Sequence, residues 1–245
     1  MERKKHIIII LLLTLLHTPL YADYRSEVYR AYLSNRMDLW KGVIDRINSI
    51  EGKSNDLLLE LVNYQYGYIG YCVGLEKKDE ARKYLSLAEK NIDILERNNY
   101  DPSMINAYRC ALYGFRIGLN KLSAPVNGLK SLEHGRKALE LDGKNYFALI
   151  QYGNVQFYMP AAFGGSKKEG IEYFMKAREL MENDPAGLKD DWNYLSLLVL
   201  IGQSYSAMNQ LDAAKRVYES TLKLEPGFLY VKDDLYPALL KRMNN

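Results

Sequence analysis

The sequence predicts an all-α protein, an α-solenoid of about five helix-turn-helix pairs closed by one C-terminal helix. Three observations predict it. Apolar residues recur at three- and four-residue spacing along most of the chain. In several of these segments a small residue and an aromatic ring stand one helical turn apart, as closely approaching antiparallel helices require. No stretch sustains the apolar–polar alternation of a half-buried strand. No linker rich in Gly, Pro or Ser divides residues 23–245, so one continuous domain is expected there.

Before that domain, Arg3, Lys4, Lys5 and His6 precede an apolar run from Ile7 to Leu16, and Leu20-Tyr21-Ala22 follows. A basic start, a short apolar centre and a small residue at the end describe a secretory leader, residues 1–22, cut after Ala22. The run is short for a membrane span, which favours a cleaved leader over a retained anchor. The mature chain is therefore expected to be exported, periplasmic in a bacterium, and without a span of its own. Losing the leader removes three basic groups and one acid, leaving a net charge near +1. That balance supplies no electrostatic attraction for nucleic acid.

Tyr24–Asn35 and Met37–Ile50 read as the first helical pair, with Val28, Tyr32, Trp40, Val43 and Ile47 at helical spacing. Asp56–Gly74 and Lys78–Arg97 form the second. The third opens at Asp101-Pro102, an N-cap acid followed by proline at the first helical position. It runs over Pro102–Gly118 and Pro125–Leu141, and its connection is longer than a minimal turn. In the fourth pair, Tyr152-Gly153 and Gly170-x3-Phe174 belong to the two helices, and Met159–Gly165 is inserted between them. Ser166-x2-Glu169 then makes a capping box. Trp192–Asn209 and Leu211–Glu225 form the fifth pair. Gly227–Asn245 reads as one more amphipathic helix that covers the end of the stack.

The fifth pair carries the sharpest pattern: Leu198-x2-Ile201-Gly202-x2-Tyr205, then Ala214-x3-Tyr218, then Pro226. With Leu for Trp, Ile for Leu and Tyr for Phe, the chain resembles the tetratricopeptide repeat family. The resemblance implies a right-handed solenoid, an interaction role without catalysis, and a concave surface lined by the first helix of each pair. Registering each pair on its glycine-like position then places Tyr66, Tyr108, Phe115, Phe147, Asn154, Phe157 and Gln203 on that surface. A groove lined with rigid rings that carry polar tips suits a peptide, a protein segment or a carbohydrate, and a protein or peptide partner is the leading expectation. The stretch from Pro160 to Ala177 is similar to the Phe-Gly-Gly connection of exported bacterial tetratricopeptide proteins. One of these is the periplasmic component that accompanies some tripartite ATP-independent transporters. That similarity implies an alternative role, a small-ligand-binding accessory of a solute transporter.

The residues give little footing to chemistry. Only His134 remains once the leader is removed, too few histidines for a His-based metal site, and a Ser-His-Asp triad would hinge on that one residue. It reads as a helix-surface or groove histidine. Gly164-Gly165-Ser166-Lys167-Lys168 precedes a helix but lacks the spacing of a phosphate loop and follows no strand, so it reads as a tight connection. Asp190-Asp191 and Asp233-Asp234 read as capping or solvated acids. Cys72 and Cys110 lie on apolar helix faces; pairing stays open from sequence, with two buried thiols the favoured reading. No enzyme activity, metal or cofactor is expected.

Overall fold

A computed structural model describes residues 20–244, with side chains from residue 24 onward. Residues 1–19 of the expected leader lie outside the described residues. The helices are α1 (Leu20–Leu33), α2 (Met37–Asn48), α3 (Asn55–Gly74), α4 (Lys78–Arg97), α5 (Pro102–Leu119), α6 (Ala124–Leu141), α7 (Tyr146–Tyr158), α8 (Lys167–Glu182), α9 (Trp192–Ala207), α10 (Leu211–Leu224) and α11 (Tyr236–Met243). There is no strand among the described residues. Consecutive helices pair as hairpins, and the five pairs stack into an α-solenoid.

The boundaries follow from local chemistry. From the second pair on, each first helix starts with a side-chain cap. Ser54 accepts from the Leu57 N–H, Asp101 from Met104, Asn145 from Ala148 and Asp191 from Asn193. Each cap satisfies one of the orphan N–H groups of a helix start. Most second helices are entered differently, through tight connections whose αL residues are Asn35, Glu76 and Asn209. Only α8 among them has a side-chain cap, Ser166 accepting from Glu169.

Within pairs, glycines set the approach of the helices. A Cβ on Gly202 of α9 would lie 2.2 Å from the Tyr218 ring of α10, and one on Gly153 of α7 would lie 2.6 Å from the Phe174 ring of α8. The same small-against-ring device therefore repeats in the fourth and fifth pairs.

The C-terminal segment differs from the single α-helix expected there. Tyr230–Leu235 is π-helical and α11 follows it. Pro237 stands just after the change; it has no N–H to donate, and its ring crowds the carbonyl of Asp233 in an α register.

The stack also closes on itself. Tyr32 of α1 packs 5.8 Å from Trp40, 5.9 Å from Trp192 of α9 and 5.0 Å from Phe228 between ring centroids. Tyr29 donates its hydroxyl to Glu225 at 2.6 Å. The first helix thus bridges the first and last pairs, contacts that nearest-neighbour stacking alone would not make.

Candidate functional site

The first helices of all five pairs meet in one aromatic assembly. Tyr66 of α3 lies 5.1 Å from Phe147 of α7, 5.4 Å from Phe115 of α5, and 6.2 Å from both Tyr108 and Trp192. Tyr108 and Phe147 are 4.4 Å apart and both are buried. Four of the seven expected surface residues are therefore brought together, mostly by packing on each other. The other three stand apart from them. Phe157 is buried beside Phe174 at 6.3 Å, Gln203 donates to the Tyr230 hydroxyl at 3.2 Å, and Asn154 is half-buried.

Beside this assembly a cleft of about 570 Å³ opens where α3, α5, α7 and α9 begin. Arg25 of α1 lies at its wall, donating from Nε to the Asp190 carbonyl at 3.3 Å and from Nη2 to the Gly187 carbonyl. Its rings are Tyr64, Tyr100, Tyr108, Tyr146 and Trp192. Of the seven expected residues, Tyr108 alone lines this space.

Two wall residues carry buried polar atoms without a hydrogen-bond partner: the Trp192 indole N–H, on a side chain only 4 % exposed, and the Asn63 Oδ1. Buried polar groups are nearly always paired, so a donor and an acceptor left over beside one cleft are an exception worth explaining. The lining carries Asp56, Glu60, Asp184, Asp190 and Asp191 against Arg25 and Lys144, so the cleft is net acidic. Burial pushes the Asp191 carboxyl up, although the Asn193 donors and Arg25 pull against it. Burial raises Glu60 as well, with the Tyr64 hydroxyl bonded to it opposing. Tyr100 is pushed up to about 12, mainly by its hydrogen bond to Asp56.

Sequence reasoning missed Trp192, Asn63, Tyr64 and Arg25. Asn63 and Tyr64 belong to a first helix already read as groove-lining, but the glycine-based register selected Tyr66, nearer the centre of α3. Arg25 reaches the cleft only because α1 folds back across the stack.

Elsewhere the chemistry is quiet. His134 stacks on Tyr113 with centroids 5.5 Å apart, its Nδ1 2.9 Å from Asn106 Oδ1, and burial lowers its pKa. Cys72 and Cys110 are both buried and not disulfide-bonded. Among the described residues no group of three or more His, Cys, Asp or Glu is placed to hold a metal ion. No helix among them is long and apolar enough to cross a membrane.

The tetratricopeptide repeat family matches residues 195–228, which cover α9 from Leu195 on, all of α10 and the turn to Phe228. This segment is a tetratricopeptide repeat. Gly202 and Tyr218, the closest small-against-ring contact in the stack, both fall inside this repeat. The fold of this repeat protein is also similar to the HusA haemophore from Porphyromonas gingivalis, with a TM-score of 0.60 at 19 % identity, over 78 % of this chain and 96 % of that one. No curated protein matches the sequence.

Proposed function

We propose that this chain is an exported, non-enzymatic binding module that takes a short segment of a partner protein into the cleft where its first helices begin. One observation carries the reading: a buried free donor, the Trp192 N–H, and a buried free acceptor, Asn63 Oδ1, belong to the walls of one cleft. A peptide unit offers one carbonyl and one N–H, the complement of that pair. Tyr64, Tyr100, Tyr108 and Tyr146 add rigid area with polar tips, which suits peptide contact. Tyr66, Phe115 and Phe147 serve as the packed support behind Tyr108. Repeats of this type usually mediate protein interactions, which agrees with the reading. The leader-like start supports export.

A photo-crosslinking residue at Leu59, on the cleft wall, tests it in cells. Expected is a crosslink to one partner protein that Trp192→Phe abolishes while leaving the fold intact. Unchanged crosslinking by the folded Trp192→Phe protein overturns the assignment.

The cleft volume favours a second reading, a small-ligand-binding accessory of a solute transporter. At about 570 Å³ it falls within the range of roughly 300–1,000 Å³ common for small-molecule sites. The resemblance of the Phe-Gly-Gly connection and the haemophore likeness point the same way. The acidic lining selects a neutral or cationic ligand, and it opposes an anionic one such as haem with its propionates. A thermal-shift screen of metabolites with haem as a comparison separates the readings. A shift that Trp192→Phe removes supports the ligand.

A further inference from the structure

Two long connections lie at the end of the solenoid away from the cleft. Each joins the two helices of one pair, α5 to α6 and α7 to α8, whereas the cleft lies where the links between pairs run, at the opposite end of the antiparallel stack. Their tips are apolar and solvated. Leu122 is 91 % exposed and Phe163 76 %, with Val126, Leu129 and Tyr158 exposed beside them. Val126 and Leu129 are spaced to share one side at the start of α6, and Leu122 stands in the short turn just before it. Monomeric soluble proteins rarely leave large apolar side chains clustered in this way.

Along the chain the two connections carry charge of one sign, with Glu76 the acid that shares a pocket with Lys121 and Leu122. No Asp or Glu occurs between Arg116 and Glu133 or between Asp142 and Glu169, while Lys121, Lys130, Lys167 and Lys168 stand in or beside the two connections. Lys167 lies over the Phe157 ring at 5.7 Å, and Lys168 makes only a long contact of 3.9 Å with Glu172. The neighbouring connection from α3 to α4 adds exposed Leu75, Lys77 and Lys78, but Glu76, Asp79 and Glu80 offset its charge and bound the patch.

We propose that this end of the solenoid docks on an anionic lipid surface, with Leu122 and Phe163 entering the headgroup boundary and the lysines facing lipid phosphates. Apolar tips with lysines beside them are the combination that interfacial binding uses, each part weak alone and effective together. Docking by this end leaves the cleft at the other end open to its own partner. The inference stands on different residues from the cleft reading and does not depend on it.

Sedimentation with phosphatidylglycerol-containing vesicles, against pure phosphatidylcholine vesicles, tests the proposal on the mature chain. Binding is expected only with the anionic lipid and is expected to fall with added salt. Each of Lys121→Gln, Lys167→Gln and Lys168→Gln should weaken it by about fivefold. Leu122→Ser with Phe163→Ser should weaken it by at least about tenfold. All five positions are on connections or at the first turn of α8, so circular dichroism should report an unchanged fold. Equal binding to both vesicle types, or full binding by the Leu122→Ser/Phe163→Ser protein, overturns the proposal. So does a concentration-dependent dimer abolished by the same changes in a protein that ignores vesicles.

Discussion

Tyr32 of α1 and Trp192 of α9 meet edge to face, ring centroids 5.9 Å apart and planes at 75°, although 160 residues separate them in the chain. In an open repeat array each unit touches only its neighbours. Here the first unit also holds the last. Replacing Tyr32 with Ala removes ring contacts to Trp40, Trp192 and Phe228 together. We expect a loss of about 2–4 kcal/mol, the usual range for deleting a large side chain from a packed site. Hydrogen exchange should show α1 opening while α3 and α5 stay protected. Uniform loss of protection would mean that the closure does not fold as a separable layer.

Two glycines inside helices should respond in opposite directions to the same change. A Cβ at Gly202 would meet the Tyr218 ring at 2.2 Å, and that ring is buried, only 2 % exposed. Gly202→Ala should therefore destabilise by about 1–3 kcal/mol through overpacking. At Gly42 of α2 an added Cβ would meet nothing within 4 Å. Gly42→Ala should stabilise by about 0.5–1 kcal/mol, because alanine loses less backbone entropy in a helix. Urea midpoints for the two variants check both signs.

The helix boundaries were legible because their causes are local. Asp101-Pro102, Ser166-x2-Glu169 and the fifth-pair spacing state their caps and turns within a few residues. The gathering of Tyr66, Tyr108, Phe115 and Phe147 was legible in part, since a shared helix register places them on one side of the stack. The Arg25 and Trp192 walls of the cleft were not. They depend on how small rotations between successive pairs accumulate until α1 reaches α9, and no local spacing encodes that sum. Pro237 was plain in the sequence, but whether it would end a helix or shift its register was decided by the packing around it.

Glu60 offers a test of charge burial in the cleft. Its carboxyl is raised above 4.5, chiefly by burial. A carboxyl raised in the folded state binds more protons there than in the unfolded chain, so its contribution to stability falls as pH rises through that window. Glu60→Gln keeps an oxygen to accept from the Tyr64 hydroxyl and removes the charge. Stability of the variant should exceed that of the parent at neutral pH, and the difference should vanish below the ordinary carboxylate range. A gain that persists undiminished at acid pH would show that the buried charge is not its source.

Thiol reactivity should be set by the same burial. Cys72 is pushed up to about 11 and Cys110 to about 12, in both cases mainly by loss of solvent, with hydrogen bonding to Tyr68 and Ser131 opposing. The thiolate is the nucleophile, so at neutral pH neither residue presents a reactive form. Cys110 is further enclosed by Ser131, whose Oγ lies 3.4 Å from its sulfur. Ellman's reagent should label neither cysteine in the native protein and both in denaturant. Rapid labelling of the folded chain would place a thiol at the surface, and an absence of labelling after unfolding without reductant would mean that the two had paired.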